Sequence, residues 1–256
     1  MTSPGEDSAV HTSRRAGTDD MAGFGSDRPD VPSADGLGGV LGNERLTALA
    51  GGILFVLIVV ELVTTARLRT FMSAHVFVGM LLAGPLVVKL GSTGYRFVRY
   101  YTLSPAYVRR GPPQLALRVL GPLLVAATLV VVGSGIGLMV TGPDHAGPLL
   151  PLHGVSVLVF LPLMAIHLVA HILATPRLVA DDWSTVSAAP APGRGLRVGI
   201  NLGALVLGVL GAIFLLPTTT PWMAWSQTNG QVPAPVIVGT LLAIVALLAT
   251  RPLRWR

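Results

Sequence analysis

Cysteine is absent from the 256-residue chain. That removes disulfides, thiolate-bound zinc, iron–sulfur clusters and thioether-attached haem. Charge is scarce as well. Asp, Glu, Lys and Arg make up 12% of the residues, about half the roughly 25% of a soluble domain. No catalytic triad, phosphate loop or flavin fingerprint is present. The run Gly133-Ser134-Gly135-Ile136-Gly137 lies within an apolar stretch with no strand before it, so it is no nucleotide motif. What is plentiful is apolar side chain, at 52%, with a mean hydropathy of +0.68. This balance excludes a water-soluble enzyme of ordinary surface and predicts an integral membrane protein.

Residues 1–45 stand apart. Eight of the twelve acidic residues, from Glu6 to Glu44, fall here with four arginines among many Gly, Ser and Pro. The apolar stretch around Val40-Leu41 is too short for a signal-peptide core. So little apolar surface cannot offset the entropy of ordering, and the expectation is a disordered acidic tail. Six apolar runs follow, at about 46–66, 71–91, 117–141, 149–174, 196–216 and 234–250. At 1.5 Å per residue a helix of about 20 residues crosses roughly 30 Å of hydrocarbon. Lipid admits only helices or closed barrels, and these runs are continuous rather than alternating. Gly142-Pro143, Pro176 and Pro217 close the third, fourth and fifth runs, while Pro233 and Pro235 open the sixth. The predicted fold is an all-α integral membrane protein, with six transmembrane helices in an up-and-down bundle spanning residues 46–256.

Arginine placement sets the orientation. Fifteen arginines fall on the side of the N-terminus, against Arg67 and Arg69 on the other, and Lys89 lies within a span. The positive-inside bias predicts a cell-membrane protein with both termini cytoplasmic. It also accounts for the pI near 10.7 through contact with the lipid bilayer, with no nucleic acid as partner. Tyr95, Tyr100, Tyr101 and Tyr107 in the 92–118 loop fit an interfacial belt. Trp222 and Trp225, in the uncharged 217–233 loop, read as an interfacial anchor or as a cover for a cofactor edge.

Ionisable groups inside a membrane are costly and mark function by default. His75 falls in the second run, and His153, His167 and His171 in the fourth. His153 and His171 are 18 residues apart, five full helical turns, and His167 is about 40° from that register. The three share one stripe. His75 and His153 each lie about four residues into runs that cross in the same direction, so they share a depth near the outer face. Two imidazoles at one depth on facing helices suit a planar group ligated from both sides, as haem iron is. The bland alternative is hydrogen-bonding glue between helices, worth about 1 kcal/mol per contact.

The segment from about 70 to 175 resembles the membrane-embedded cytochrome b subunits. The matching residues are Ser73-Ala74-His75-Val76-Phe77-Val78-Gly79, and His153 followed after 14 residues by His167. Lys89-Leu90-Gly91-Ser92-Thr93-Gly94-Tyr95-Arg96-Phe97 also resembles a bacterial group of such proteins. The resemblance implies a four-helix core over 46–175 with b-type haem between histidines of the second and fourth spans. It also implies a second haem in many relatives, held by histidine pairs 13 or 14 residues apart. Here Lys89 stands 14 residues after His75 in place of histidine, which leaves a second haem open. Lys89 is either a ligand as its neutral amine or a side chain snorkelling to the interface. His167 and His171 are candidates for a quinone carbonyl or for carrying a proton.

Glu61, the one acid within a span, is expected near the depth of His75. It suits either acceptance of an imidazole N–H or burial as a neutral, hydrogen-bonded carboxyl. Pro85 and Pro162 are expected to kink the second and fourth helices. The glycines at 133, 135, 137, 199, 203, 208 and 211 are expected to pack helices. The whole predicts an electron-transfer subunit rather than a stand-alone enzyme, working between a quinone and an extracytoplasmic redox subunit. A transporter, or a structural membrane protein with polar helix glue, is the rival class.

Reporter fusions after Arg194 are expected to read as cytoplasmic, and fusions after Thr219 as extracytoplasmic. The reverse pattern overturns the orientation.

Overall fold

The structure is a computed structural model of the chain and describes residues 38–111, 115–172, 174–184, 191–229 and 234–249. The tail expected to be disordered falls, up to residue 37, outside the described residues, as do the C-terminal arginines. The architecture is all-α, in the order α1 (Gly39–Thr65), α2 (Leu68–Tyr101), α3 (Pro105–Arg110), α4 (Leu115–Thr141), α5 (Leu149–His171), α6 (Ala174–Trp183), α7 (Arg194–Leu215), α8 (Thr219–Asn229) and α9 (Ala234–Ala249). Five helical stretches are long and apolar enough to cross a membrane: α1, α2, α4, α5, and the stretch from α7 through α8. α9 is the short sixth, with 16 residues, or about 24 Å of rise. Many large apolar side chains, such as Val87, Val140 and Phe214, remain exposed, as they must where the solvent is hydrocarbon.

Packing divides the spans into two sets. α2 lies against α1, α7 and α8, and α6 braces α1. α5 lies between α4 and α9. The sets meet through α2 and α4 and through a cluster of Met72, Val76, Leu138, Met139, Ala146 and Trp222. Glycine allows the close approaches. A Cβ at Gly208 would lie 2.8 Å from the Leu81 carbonyl, and one at Gly84 would collide with the Ala204 carbonyl, so α2 and α7 touch backbone to backbone. Gly135 and Gly137 admit His153 and Leu149 in the same way. Gly133, Gly199 and Gly203 face open space, contrary to the packing role expected of them.

The helices outrun the apolar runs that predict them. α1 starts at Gly39, so Asn43, Glu44 and Arg45 belong to a helix and not to the tail. Each has found a partner there. Asn43 donates to the Ser92 carbonyl at 3.1 Å. Glu44 accepts two hydrogen bonds from Arg110, at 2.9 and 3.0 Å, and lies 3.5 Å from Arg96. Arg45 donates to Asp182 at 3.2 Å. α2 likewise continues to Tyr101, taking up most of the expected tyrosine loop. Tyr107 on α3 is buried, edge-on to Tyr95 at 5.9 Å, with Arg99 over both rings. Pro85 and Pro162 lie within α2 and α5, but the departure from helical dihedrals inside α2 is at Phe71, φ −117° and ψ 24°, not at the proline.

Arg197 is fully buried at the start of α7. Its guanidinium forks onto Asp182, with Nε 3.1 Å from Oδ2 and Nη2 on Oδ1, and donates to the carbonyls of Pro192 and Ala191. With Arg45 on the same carboxylate, α1, α6 and α7 are tied at one point. Removing the shared anion strands two buried cations. Asp182→Ala is expected to destabilise the fold by about 3–5 kcal/mol, read as a large fall in the melting temperature in detergent. Glu44→Ala, whose Arg110 partner is exposed, is expected to cost no more than about 1 kcal/mol. Equal losses would show that the Asp182 junction carries no special weight.

Candidate functional site

The site begins with Nδ1 of two histidines. His75 lies on α2, just past the Phe71 distortion. Its Nδ1 is 2.7 Å from Glu61 Oε1 and 3.1 Å from Thr65 Oγ1, both on α1. Thr64 Oγ1 donates to the other carboxylate oxygen at 3.3 Å. Gly79, one turn along α2, leaves room for the carboxylate, since a Cβ there would lie 3.3 Å from Oε1. His153 lies on α5, and its Nδ1 is 3.0 Å from both the Val131 carbonyl and Ser134 Oγ on α4. A backbone carbonyl only accepts, so Nδ1 of His153 carries the proton and Nε2 holds a lone pair. Each ring is thus aimed by a neighbouring helix, with Nε2 free of protein partners among the described residues.

The two ring centroids are 6.4 Å apart, with the ring planes crossing at 72°. An imidazole nitrogen sits about 2 Å from a metal it ligates and about 1 Å ahead of its own centroid, so two coaxial ligands place their centroids about 6 Å apart. A T-shaped ring contact alone falls in the same range. What separates the two is the second nitrogen. Metal-bound histidines characteristically donate the other N–H to a carboxylate or a backbone carbonyl, and here one ring has each. Among the described residues no group of three or more His, Cys, Asp or Glu is placed to hold a bare ion, and zinc wants three or four such ligands. Two imidazoles suit a group that brings its own in-plane donors.

Both rings line a cavity of about 1850 Å³ between the α1–α2 pair and the α4–α5 pair. Single-ligand pockets run to about 1,000 Å³, so this one exceeds the needs of a single small group. Trp222, Trp225 and Asn229 of α8 also line it, and Trp222 packs with Met72 and Val76, which flank His75 on α2. Trp222 is not the interfacial anchor expected of it. It is 5% exposed, and its indole N–H donates to the Leu138 carbonyl at 3.2 Å.

The far end of the same cavity holds the other candidates. Lys89, His167 and His171 line it with Arg96. Lys89 Nζ donates to the Thr47 carbonyl at 3.1 Å and occupies the space left by Gly51. This amine turns to the backbone of α1. It remains within electrostatic reach of both His167 and His171. Those two rings, one turn apart, meet at 4.6 Å with their planes tilted by 53°, and neither makes a hydrogen bond among the described residues. The six sequence candidates therefore divide into a bonded group of Glu61, His75 and His153 and a separate group of Lys89, His167 and His171. Ser134, Thr65 and the Val131 carbonyl were not legible as site residues. Ser134 lies on α4 and His153 on α5, the two helices joined by the short 142–148 turn, and that hairpin is the signal that makes α4 the place to look for a partner of His153. Compared with protein-family models, curated proteins and solved structures, the chain matches none.

Glu61→Leu leaves the His75 N–H with Thr65 as its sole acceptor. The expected cost is about 1–3 kcal/mol, read as a lower melting temperature. Glu61→Gln, which keeps an acceptor oxygen, is expected to recover most of it. Equal losses in the two variants would show that the hydrogen bond to His75 does not matter.

Proposed function

We propose that the protein is a membrane cytochrome b that relays electrons between a quinone and an extracytoplasmic redox subunit. The observation that carries this reading is the His75–His153 pair, 6.4 Å between centroids, with both Nδ1 atoms bonded to the protein. The rival role, histidine as glue between helices, accounts for Nδ1 of each ring. It gives no reason for the two rings to line one cavity with no second protein partner among the described residues.

On this reading His75 and His153 hold one b-type haem by its iron, and the group, when bound, supplies one-electron chemistry. Glu61 and the Val131 carbonyl keep the imidazoles in the Nδ1–H form and fix their orientation. The carboxylate makes His75 the more electron-rich ligand, whereas His153, on a neutral carbonyl and a hydroxyl, is the weaker donor. Trp222 and Trp225 shield this end of the cavity from water. On this reading, which the positive-inside bias of the sequence supports, the pair lies near the extracytoplasmic face and both termini are cytoplasmic. Lys89, His167 and His171 are then left at the cytoplasmic end.

An absorbance spectrum of the purified chain tests the reading. A reduced-minus-oxidised haem signal is expected, lost in His75→Ala and in His153→Ala and kept in His145→Ala, a variant in an exposed turn. Folded protein that shows no haem absorbance after haem supplementation refutes it. A signal that survives His75→Ala and vanishes in His167→Ala moves the site to the other end of the cavity.

A further inference from the structure

Polar groups are not spread evenly along the cavity. Its middle is lined by side chains such as Leu86, Leu124, Val125 and Met164. At one end, Lys89, Arg96 and Arg118 line it together with His167 and His171. The one carboxylate in the lining, Glu61, is bonded to His75, and Glu44 is engaged by Arg110 and Arg96, so the end keeps an excess of positive charge. Lys89 spends one donor on Thr47. The rings of His167 and His171 touch each other and find no hydrogen bond among the described residues. Imidazole N–H groups in an apolar setting without an acceptor are costly, which points to a partner in the cavity.

The walls say how that partner enters. α1 packs on α2, α6 and α7, and α4 packs on α5, but among the described residues no extensive α1–α4 interface closes the cavity. Phe55 and Val59 of α1 line it and remain exposed. A molecule lying in the bilayer therefore reaches the cavity sideways. A long apolar slot, open to lipid and ending in a cluster of cations and N–H donors, matches an amphiphile with hydrocarbon chains and an anionic head.

We propose that the Lys89–His167–His171 end of the cavity binds one anionic phospholipid, its phosphate on those side chains and Arg96 and its acyl chains in the apolar slot. The site does not depend on what the His75–His153 pair holds. Charge-assisted bonds to phosphate are the strong class of hydrogen bond, and Arg96 adds a permanent cation at the mouth. The same chemistry would take free phosphate, and the slot is the reason to choose the lipid.

Native mass spectrometry of the full chain, purified in neutral detergent and titrated with dioleoyl phosphatidylglycerol, decides it. One phosphatidylglycerol per chain is expected to bind, at least about tenfold tighter than dioleoyl phosphatidylcholine. The double variant Lys89→Gln, His167→Gln is expected to lose that preference. Arg109→Gln, on the exposed face of α3, is expected to keep it. Lys89→Arg preserves a cationic donor and is expected to bind as the native chain does, which separates loss of the head-group site from loss of fold. Equal binding of the two lipids, or an unchanged preference in the double variant, overturns the proposal. Displacement of phosphatidylglycerol by millimolar inorganic phosphate also overturns it, since the ligand would then be a free anion.

Discussion

A polar side chain surrounded by hydrocarbon has no water to fall back on, and an unmade hydrogen bond there costs several kcal/mol. Much of this structure is arranged by that one constraint. Thr128 and Ser134 return their hydroxyls to carbonyls one turn back on their own helix, while Ser156 bonds the carbonyl of His153 three residues earlier. Asn201, buried in α7, donates to the Arg197 carbonyl. Arg197, Arg45 and Asp182 satisfy one another across three helices. Against that background the rings of His167 and His171 stand out, because they line a cavity and make no hydrogen bond among the described residues.

The cavity follows from how the helices sort. α2 leans on α1 and α7 through glycines that bring backbones together, and α5 leans on α4 and α9. α2 and α5 are thus each braced by their own set, and His75 and His153 meet where the sets face each other. The apolar cluster around Trp222 joins the sets at the His75 end. Spacing along the rest of the cavity is kept by this junction and by the α2–α4 contact.

The spans themselves are legible in sequence, because a hydrocarbon solvent imposes a long run of apolar residues and little else does. Helix ends are not. Asn43 and Arg45 read as tail because polarity stops an apolar run, whereas the helix continues for as long as those side chains find partners on α2 and α6. The depth of His75 and His153, and the neighbourhood of Glu61, follow from counting residues from turns, and the structure puts these three together. Lys89 shows the limit of counting. Its position along α2 is readable, but its direction is set by a missing Cβ at Gly51 on another helix. Trp222 reads as an anchor because indole favours the interface. Its burial depends on the carbonyl of Leu138, 84 residues earlier. Pro85 reads as a kink, but the distortion lies at Phe71.

α9 gives the molecule a timetable. It packs along α5, where a Cβ at Gly154 would lie 3.2 Å from Pro235 and one at Gly239 would lie 2.9 Å from Leu161. α5 is flanked otherwise by α4, which holds the His153 ring through Val131 and Ser134, so its second brace comes from a helix synthesised after both. α2 likewise meets α1 first and α7 later. A nascent chain halted before residue 234 thus carries both imidazoles already tethered at Nδ1, with α5 not yet braced by α9.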